Sequence, residues 1–432
     1  MVICTEREVI NVKFSDTKVE DIFLRIFIHS HNNTSKPVTI LSCEQFFSAN
    51  IASGINDFKL LYQRLDKTME RLFSVFSKLK IGEYFFIFPR NIKMTNELVD
   101  YSKIYLKNRN CGFNENEAIE EVEKIHKVYE NLYAGIKERY EIEVFSPEKM
   151  MKIGEKIKAK RICRFCNRKQ GELDDSGNKT TFKSIAHAIP EALGNKLIIG
   201  TEECDSCNNI FASNIELDLI NFCNIYRVFW GVEGKHKVPK IKYKNGVIAN
   251  AKNNFIVEQS IDSFITDKDG QLQQIKLASK EKINFMGIYR CLAKIALSVI
   301  DRKYIEHFSR TIRWIKGENL GVIPVVGLSI QTHVNPHRHP HIILYRRKDN
   351  NLNVPYMVAE FSFCNVFFVY IMPFCDQDSK SFVEKTDFDN LWNIFQQYNQ
   401  KNISWTFMDF SEDKKQDYIL NLNINNRKPL DN

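Results

Sequence analysis

The sequence lacks the features that would place the protein in a membrane or outside the cell. No apolar run approaches the roughly 20 residues that span a bilayer. The first residues do not form a basic segment followed by an apolar one, as a secretory signal would. Internal repeats and low-complexity segments are also absent from the sequence. We therefore expect a cytoplasmic protein with no membrane partner.

The first 150 residues also lack a glycine-rich nucleotide-binding loop and a helix-turn-helix pattern, so the role of that region stays open. The composition, 44% apolar and 26% charged over 432 residues, is ordinary for a soluble globular protein of two or three domains. The predicted fold class is α+β and multidomain. We expect a mainly helical α+β domain at 1–148, a central module at 149–225 and an α+β domain at 226–432, with the first boundary near Ser146 and Pro147.

Four of the 11 cysteines form two close pairs, Cys163 with Cys166 and Cys204 with Cys207. This spacing lets one tight turn direct both sulfurs of a pair at one ion, and four thiolates are the tetrahedral ligand set of closed structural zinc sites. We therefore predict a structural zinc ion, and the alternative is four buried apolar thiols. The other cysteines, which lie scattered in apolar contexts and are predicted to be reduced buried thiols, are Cys4, Cys43, Cys111, Cys223, Cys291, Cys364 and Cys375.

The 37-residue insert between the cysteine pairs is longer than the roughly 15 to 20 residues of a plain zinc ribbon. Residues 180–189, ended by Pro190, predict a strand, and residues 197–199 predict its short partner. After Cys207, apolar residues at every third or fourth position predict a helix. These residues are Phe211, Ile215, Leu219 and Phe222. A unit of this size cannot be held by its own core, so zinc would supply the missing folding free energy.

Within residues 161–225, the sequence around His187 resembles the HNH endonuclease superfamily, the zinc-knuckle branch of the ββα-metal nucleases. The resemblance rests on Ala186-His187-Ala188-Ile189-Pro190, on the Gly194-Asn195 turn and on an asparagine directly after the last cysteine. It implies a treble-clef or ββα-metal module around a structural zinc. It also implies that His187 is the general base that activates water, with a backbone carbonyl or Asn195 fixing the imidazole. Asn208 would bind a catalytic divalent ion, Mg²⁺ or Mn²⁺.

Each of these roles has a simpler alternative. His187 suits a base because the ordinary pKa of histidine, about 6.5, keeps much of it neutral at physiological pH. The ring could instead be merely packed under Pro190, and Asn208 could be an N-cap or turn residue.

The chain departs from the family at Ala186, where many HNH nucleases carry an acidic metal ligand. Glu216 is our first candidate to replace that ligand, because it lies two helical turns beyond Asn208 and so shares its helix face approximately. Asp205 and Glu191 are the other nearby carboxylates. Without such a ligand, metal affinity would be weak or the site inactive.

Basic residues flank the insert on both sides, and their placement matters more than the modest net charge of +8. We expect these side chains to bind the phosphates of a nucleic acid, although a solvated linker would also be rich in lysine. The candidates before the insert are Lys156, Lys158, Lys160, Arg161 and Arg164, and those after it are Lys235 and Lys237.

The resemblance therefore implies a metal-dependent endonuclease that cleaves DNA, while nothing in the residues excludes RNA. It also suggests a restriction or anti-phage role, with flanking domains that recognise a target or a protein partner. One alternative is a non-catalytic zinc-finger module whose basic flanks bind nucleic acid. A second alternative is a scaffold for protein interaction.

The flanking regions carry their own periodic patterns. In the N-terminal region we predict strands at 9–14, 22–28, 38–41 and 84–88 and helices over 61–79 and 118–136. In the C-terminal region we predict a hairpin over 241–249, an apolar helix over 285–300 and strands at 323–331, 342–346 and 361–372.

Overall fold

The structure is a computed structural model that describes the chain except for residues 15, 29–42, 62–66, 90–91, 93, 147–149, 175, 236, 252–253, 260–263, 267–271, 332–336, 401–402 and 424–432. The predicted strand at 38–41 lies outside the described residues. The chain divides into two compact units, Met1–Asn131 and Leu132–Asn432. In the described part of the chain, no helix combines the length and the apolar character needed to cross a membrane.

Unit 1 (Met1–Asn131) is built on a four-stranded antiparallel sheet, whose strands are β1 (Val2–Cys4), β2 (Val9–Asn11), β3 (Glu44–Phe46) and β4 (Tyr84–Phe88). Their order in the sheet is β2-β1-β4-β3. Its helices are α1 (Thr17–Ile28), α2 (Ala49–Leu61), α3 (Lys67–Phe76), α4 (Asn96–Asn110) and α5 (Glu115–Arg139), the last of which ends in unit 2. The predicted strand at 22–28 is wrong. That segment is helical because Phe23 and Phe27, one helical turn apart, both face the core and are fully buried.

Unit 2 (Leu132–Asn432) contains most of the strands. In chain order they are β5 (Tyr140–Phe145), β6 (Met151–Ile153), β7 (Ala186–His187), β8 (Ile198–Gly200), β9 (Ile241–Tyr243), β10 (Gly246–Ala251), β11 (Asn254–Gln259), β12 (Phe264–Thr266), β13 (Leu272–Ala278), β14 (Ile283–Asn284), β15 (Val326–Ile330), β16 (His337–Arg347), β17 (Met357–Cys364), β18 (Val366–Ile371), β19 (Thr406–Met408), β20 (Lys415–Gln416) and β21 (Ile419–Asn423). The helices that follow α5 are α6 (Asp205–Ser213), α7 (Ile215–Phe229), α8 (Phe285–Val299), α9 (Ser309–Ile315) and α10 (Lys385–Trp392).

The largest sheet of unit 2 has six antiparallel strands in the order β19-β15-β18-β17-β16-β5. Its edge strand β5 pairs with residues 342–347 of β16. The segment 140–145, which we had assigned to the domain 1–148, therefore belongs to the sheet of the C-terminal region. The reason is that an edge strand can pair with a partner from any distance along the chain, and local pattern does not reveal that partner.

The predicted central module contains the small sheet β6-β8-β7, in which β8 runs parallel to β6 and antiparallel to β7. The predicted long strand at 180–189 is reduced to the two residues of β7. The predicted helix after Cys207 is interrupted at Asn214, whose φ of −117° and ψ of −93° are not helical, so α6 and α7 are separate helices. The four apolar residues of its predicted face are nevertheless all buried.

The core of the module is not separate from that of unit 2. Cys163, Phe165 and Phe211 belong to one continuous group of buried side chains that also includes apolar residues of α8 and of the six-stranded sheet. The buried face of α8 provides much of this group, since Met286 to Val299 are all buried. The prediction gave zinc the role of supplying the missing folding free energy, whereas the structure shows that the module shares the larger core of unit 2.

Candidate functional site

The four paired cysteines meet in space. Their Sγ atoms all lie within 4.8 Å of one another, and those of Cys166 and Cys204 are 3.7 Å apart. In a tetrahedron with metal–sulfur bonds of about 2.3 Å, neighbouring sulfurs are about 3.8 Å apart, so the cluster fits a zinc ion. Among the described residues it is the only group of three or more His, Cys, Asp or Glu with this proximity. The cysteines could therefore hold a metal ion such as zinc.

The local backbone explains how two distant pairs reach one point. The Cys163–Cys166 turn closes with a hydrogen bond from Asn167 N to Cys163 O at 2.9 Å, and Asn167 adopts the left-handed conformation with φ of 58°. The second pair begins α6, where Cys204 is the N-cap and its Sγ accepts from Cys207 N at 3.5 Å. Cys204 N in turn donates to Cys163 Sγ at 3.5 Å. Backbone N–H groups directed at sulfur support thiolates that bind a metal.

His187 lies on the less buried face of the small sheet, with 18% of its side chain exposed. Strand pairing places Lys152, Ile199 and His187 side by side across β6, β8 and β7, and side chains of paired residues project from the same face. The pattern of burial agrees, because the next row in the sheet contains the buried Ala186 and Gly200. Lys152 and the proposed catalytic imidazole thus share one face, and Ile199 lies between them in the row.

The environment of the His187 ring favours the neutral form. Burial lowers its pKa below the ordinary 6.5, and Lys294 acts in the same direction, while the charges of Glu191 and Glu216 oppose the shift. The Nε2 atom lies 3.8 Å from the carboxylate of Glu191. The Nδ1 atom is buried and accepts or donates no hydrogen bond among the described residues. The ring therefore favours the neutral form, and its Nδ1 has no hydrogen-bond partner among the described residues.

Asn195 does not hold the imidazole. Its side chain is fully buried, and its amide donates to the carbonyls of Ile189 and Ile198 at 2.9 and 3.0 Å. Its Oδ1 accepts from the backbone N–H groups of Leu197 and Ile198. All of these partners are backbone atoms, so Asn195 fixes the loop between β7 and β8 and acts on His187 only through that loop.

Glu216 is engaged elsewhere. Its Oε1 accepts from Lys294 Nζ at 2.9 Å, and Glu203 lies 3.1 Å from the same ammonium, which is fully buried. Burial acts to lower the pKa of Lys294, but Glu203 and Glu216 outweigh it and hold that pKa above its ordinary value. Asn214 interrupts the helix between Asn208 and Glu216, so counting helical turns from one to the other does not describe their relation.

Asp205 is also occupied, by Thr181 Oγ1 and by the backbone N–H groups of Lys183 and Ser184. Glu191 is the remaining carboxylate of the three, with a side chain 30% exposed beside His187. Asn208 lies in the first turn of α6 and is half-buried, with its backbone N–H bonded to Cys204 O at 2.9 Å. Ala186 is buried, on the face of the small sheet opposite His187.

The predicted phosphate-binding residues separate into two groups. The exposed ones are Lys156, Lys158, Lys160, Lys235 and Lys237. Arg161 is half-buried, and its guanidinium donates to the carbonyls of Glu155 and Lys156. Arg164 cannot bind phosphate, because its side chain is 1% exposed and is held by Glu202 and by the carbonyls at the end of α8.

Sequence reasoning missed Lys294 and Glu203. A lysine inside the otherwise apolar pattern of α8 is the signal that could have revealed them, because a buried ammonium requires carboxylate partners. Comparison with family models, with curated proteins and with solved structures finds no match to this chain. The candidate site therefore rests on the geometry of its own residues.

Proposed function

We propose that the region around His187 hydrolyses phosphodiester bonds of a nucleic acid, with DNA as the first choice of substrate and RNA as the second. The observation that carries the proposal is the row formed by Lys152, Ile199 and His187 on the less buried sheet face. It sets an imidazole and a cation on the same sheet face, two strands apart, and hydrolysis of a phosphodiester requires a base and positive charge. The exposed lysines at 156, 158 and 160 add positive charge for the flanking phosphates.

In the proposed reaction, His187 takes a proton from a water molecule as the water oxygen attacks phosphorus. The new P–O bond replaces the bond to the leaving oxygen, which receives a proton from solvent. The lowered pKa keeps His187 free to accept the first proton at neutral pH. Lys152 supplies positive charge near the phosphoryl oxygens, where negative charge grows in the transition state.

Zinc would have a structural role in this proposal. Cys163, Cys166, Cys204 and Cys207 would hold it and so fix the start of α6 against the turn at 163–166. A catalytic Mg²⁺ or Mn²⁺ ion fits the residues less well. Glu216 neutralises Lys294 and Asp205 is bonded to the loop at 181–184, which leaves Asn208 and Glu191 as the available oxygen donors. We therefore assign no step to a divalent ion.

The test is cleavage of plasmid DNA, linear DNA and RNA by the full chain and by His187→Ala. We expect the substitution to lower the rate by roughly 100- to 10,000-fold, because a general base contributes that much through proton transfer in the transition state. Zinc content, the unfolding transition and nucleic-acid affinity should hardly change. His339→Ala, at an exposed histidine of β16, is the matched control and should cut at the parental rate. Parental cleavage by His187→Ala would refute this assignment of the base.

A second function is favoured by the buried Ala186 and by the ion pair of Glu216. Both remove oxygen ligands from the neighbourhood of His187, as in a zinc module that binds nucleic acid without cutting it. Measuring cleavage with Mg²⁺, Mn²⁺ or a chelator, together with affinity, separates the two functions. Binding without cleavage under all three conditions would establish the non-catalytic module.

A further inference from the structure

A cavity of about 290 Å³ opens beside the row that carries His187. Lys152 and Ile199 belong both to that row and to the lining of the cavity. Arg161 and Lys183 bring the number of cationic side chains around it to three. The one acidic residue of the lining is Glu203, whose carboxylate is already held 3.1 Å from Lys294. The cavity therefore carries an excess of positive charge.

The cationic groups differ in how firmly they are held. The guanidinium of Arg161 is fixed by hydrogen bonds to the carbonyls of Glu155 and Lys156, at 3.1 and 3.2 Å. Lys152 and Lys183 are exposed and can rotate toward a bound anion. One oriented cation with two adjustable ones is an arrangement suited to a phosphate group, which accepts hydrogen bonds from several directions.

Apolar side chains line the remaining wall. Met150 and Ile185 are 61% and 65% exposed although both border the cavity, and Phe182 closes it from the buried side. Large exposed apolar side chains that surround a concave site mark a surface that a ligand covers. A ligand that matches this wall carries an apolar group next to its negative charge.

We propose that this cavity binds one nucleotide unit, with its phosphate on Lys152, Arg161 and Lys183 and its base against Met150 and Ile185. A volume of 290 Å³ is close to the lower limit, about 300 Å³, of small-molecule sites and admits one nucleotide but not a duplex. The inference rests on the proposed function and deepens it. The link between the cavity and His187 is the sheet row that they share through Lys152 and Ile199.

Binding is measured by fluorescence anisotropy on the full-length His187→Ala protein, so that cleavage does not interfere. The probes are a short labelled single strand and a blunt hairpin duplex of the same composition. For the single strand we expect Lys152→Ala with Lys183→Ala to weaken affinity by about tenfold or more and to reduce the salt slope by about 1 to 2. Ile185→Asp should weaken it as well. The duplex should lose much less in each case.

Matched controls use exposed residues of the same module that do not line the cavity. Lys179→Ala with Lys196→Ala controls for general charge, and Ile210→Asp controls for placing a carboxylate on an apolar surface. Equal losses in test and control variants, or an unchanged affinity of the test variants for the single strand, would overturn the inference.

A competition experiment distinguishes binding of a free nucleotide from binding of a nucleotide within a strand. A nucleoside monophosphate that displaces the single strand only from proteins with Lys152 and Lys183 intact supports the cavity and shows that a free nucleotide suffices. Displacement that does not depend on these lysines contradicts it. Because every readout is binding, selective loss in the variants upholds the inference even if the parental chain proves unable to cleave. Cleavage without selective loss upholds the proposed function alone.

Discussion

Asp378 shows how burial can outweigh an ion pair at a single residue. Its carboxylate accepts from Tyr356 N at 2.7 Å and from Arg347 Nη1 at 3.2 Å, and its side chain is only 6% exposed. Arg347 alone would lower the pKa of this carboxyl group. Burial has the larger effect and raises the pKa to about 6 from an ordinary value of 3.8. The group therefore titrates in a range where most aspartates are fully ionised.

This shift predicts a loss of stability as the pH rises. A carboxyl group with a higher pKa in the folded chain stabilises the fold fully below its unfolded pKa, and the contribution disappears as the pH rises through the folded value. The window is pH 4 to 6, and the difference corresponds to about 3 kcal/mol. Asp378→Asn should remove this dependence. The parent should therefore lose about 3 kcal/mol of stability between pH 4 and pH 7 that the variant does not lose.

Urea unfolding at both pH values, monitored by tryptophan fluorescence, measures the effect. All four tryptophans of the chain lie in unit 2, as Asp378 does. Asp376→Asn, at an exposed aspartate two positions earlier, is the control and should preserve the parental pH dependence. If the free energy of unfolding changes with pH in the same way for Asp378→Asn and the parent, the raised pKa of Asp378 is contradicted.

At the same scale, prediction from sequence succeeded where the chemistry is local. The i,i+3 spacing of each cysteine pair predicted the cluster, and the structure brings all four sulfurs together. Arg164, Asn195 and Glu216 received other roles than predicted. Glu216 pairs with Lys294 of α8, and Arg164 donates to Leu297 O of the same helix. These partners are about 80 residues or more away in the chain, and no pattern around Arg164 or Glu216 reveals them. Asn195 forms hydrogen bonds with backbone atoms close to it in the chain, and the sequence alone does not show which way its side chain turns.

At the scale of elements, Arg164 contacts the C-terminal end of α8. The guanidinium donates to Leu297 O at 2.6 Å and to Ile300 O at 3.2 Å, and it also bonds to Glu202 at 2.9 Å. The last carbonyls of a helix lack partners within the helix, and a cation at that end satisfies them. The turn at 163–166 is thereby joined to α8.

We predict that Arg164→Ala lowers the free energy of unfolding of unit 2 by about 3 kcal/mol or more, because it leaves Glu202 buried and removes the cap of α8. Arg302, which is 3.3 Å from Glu202, offsets part of the cost. Denaturant unfolding measures the change, and Lys169→Ala, at an exposed residue nearby, should have little effect. A stable Arg164→Ala protein with weakened nucleic-acid binding would instead restore the phosphate role.

The helices and strands were predicted best where one periodicity persists. Phe285–Val299 matches the predicted helix at 285–300 closely, and Tyr84–Phe88 matches the predicted strand. The strand predicted at 361–372 is a hairpin of β17 and β18, because Cys364 adopts a φ of 54° and turns the chain within an uninterrupted apolar run. An apolar run shows that a segment is buried but does not show where the chain reverses.

At the scale of the whole molecule, the shared core limits what removal of a metal can do. We predict one zinc per chain by elemental analysis, and a chelator should release it together with a decrease in the melting temperature of unit 2. Complete unfolding is not expected, because Phe165 and Phe211 remain packed in the large core. Cys207→Ser should lose the metal, whereas Cys111→Ser, at an exposed cysteine in unit 1, should retain it. Parental protein that is well folded as purified, contains no zinc and takes up none when zinc is added would exclude the site.

The pairing of β5 with β16 has a consequence for the growing chain. The strand Tyr140–Phe145 leaves the ribosome about 200 residues before its partner segment at 342–347. At about 5 to 20 residues per second, the delay is roughly 10 to 40 seconds. During that time β5 has no strand to pair with, and an unpaired strand of this kind can associate with other chains. Synthesis halted before residue 342 should therefore yield nascent fragments that depend on chaperones to remain in solution.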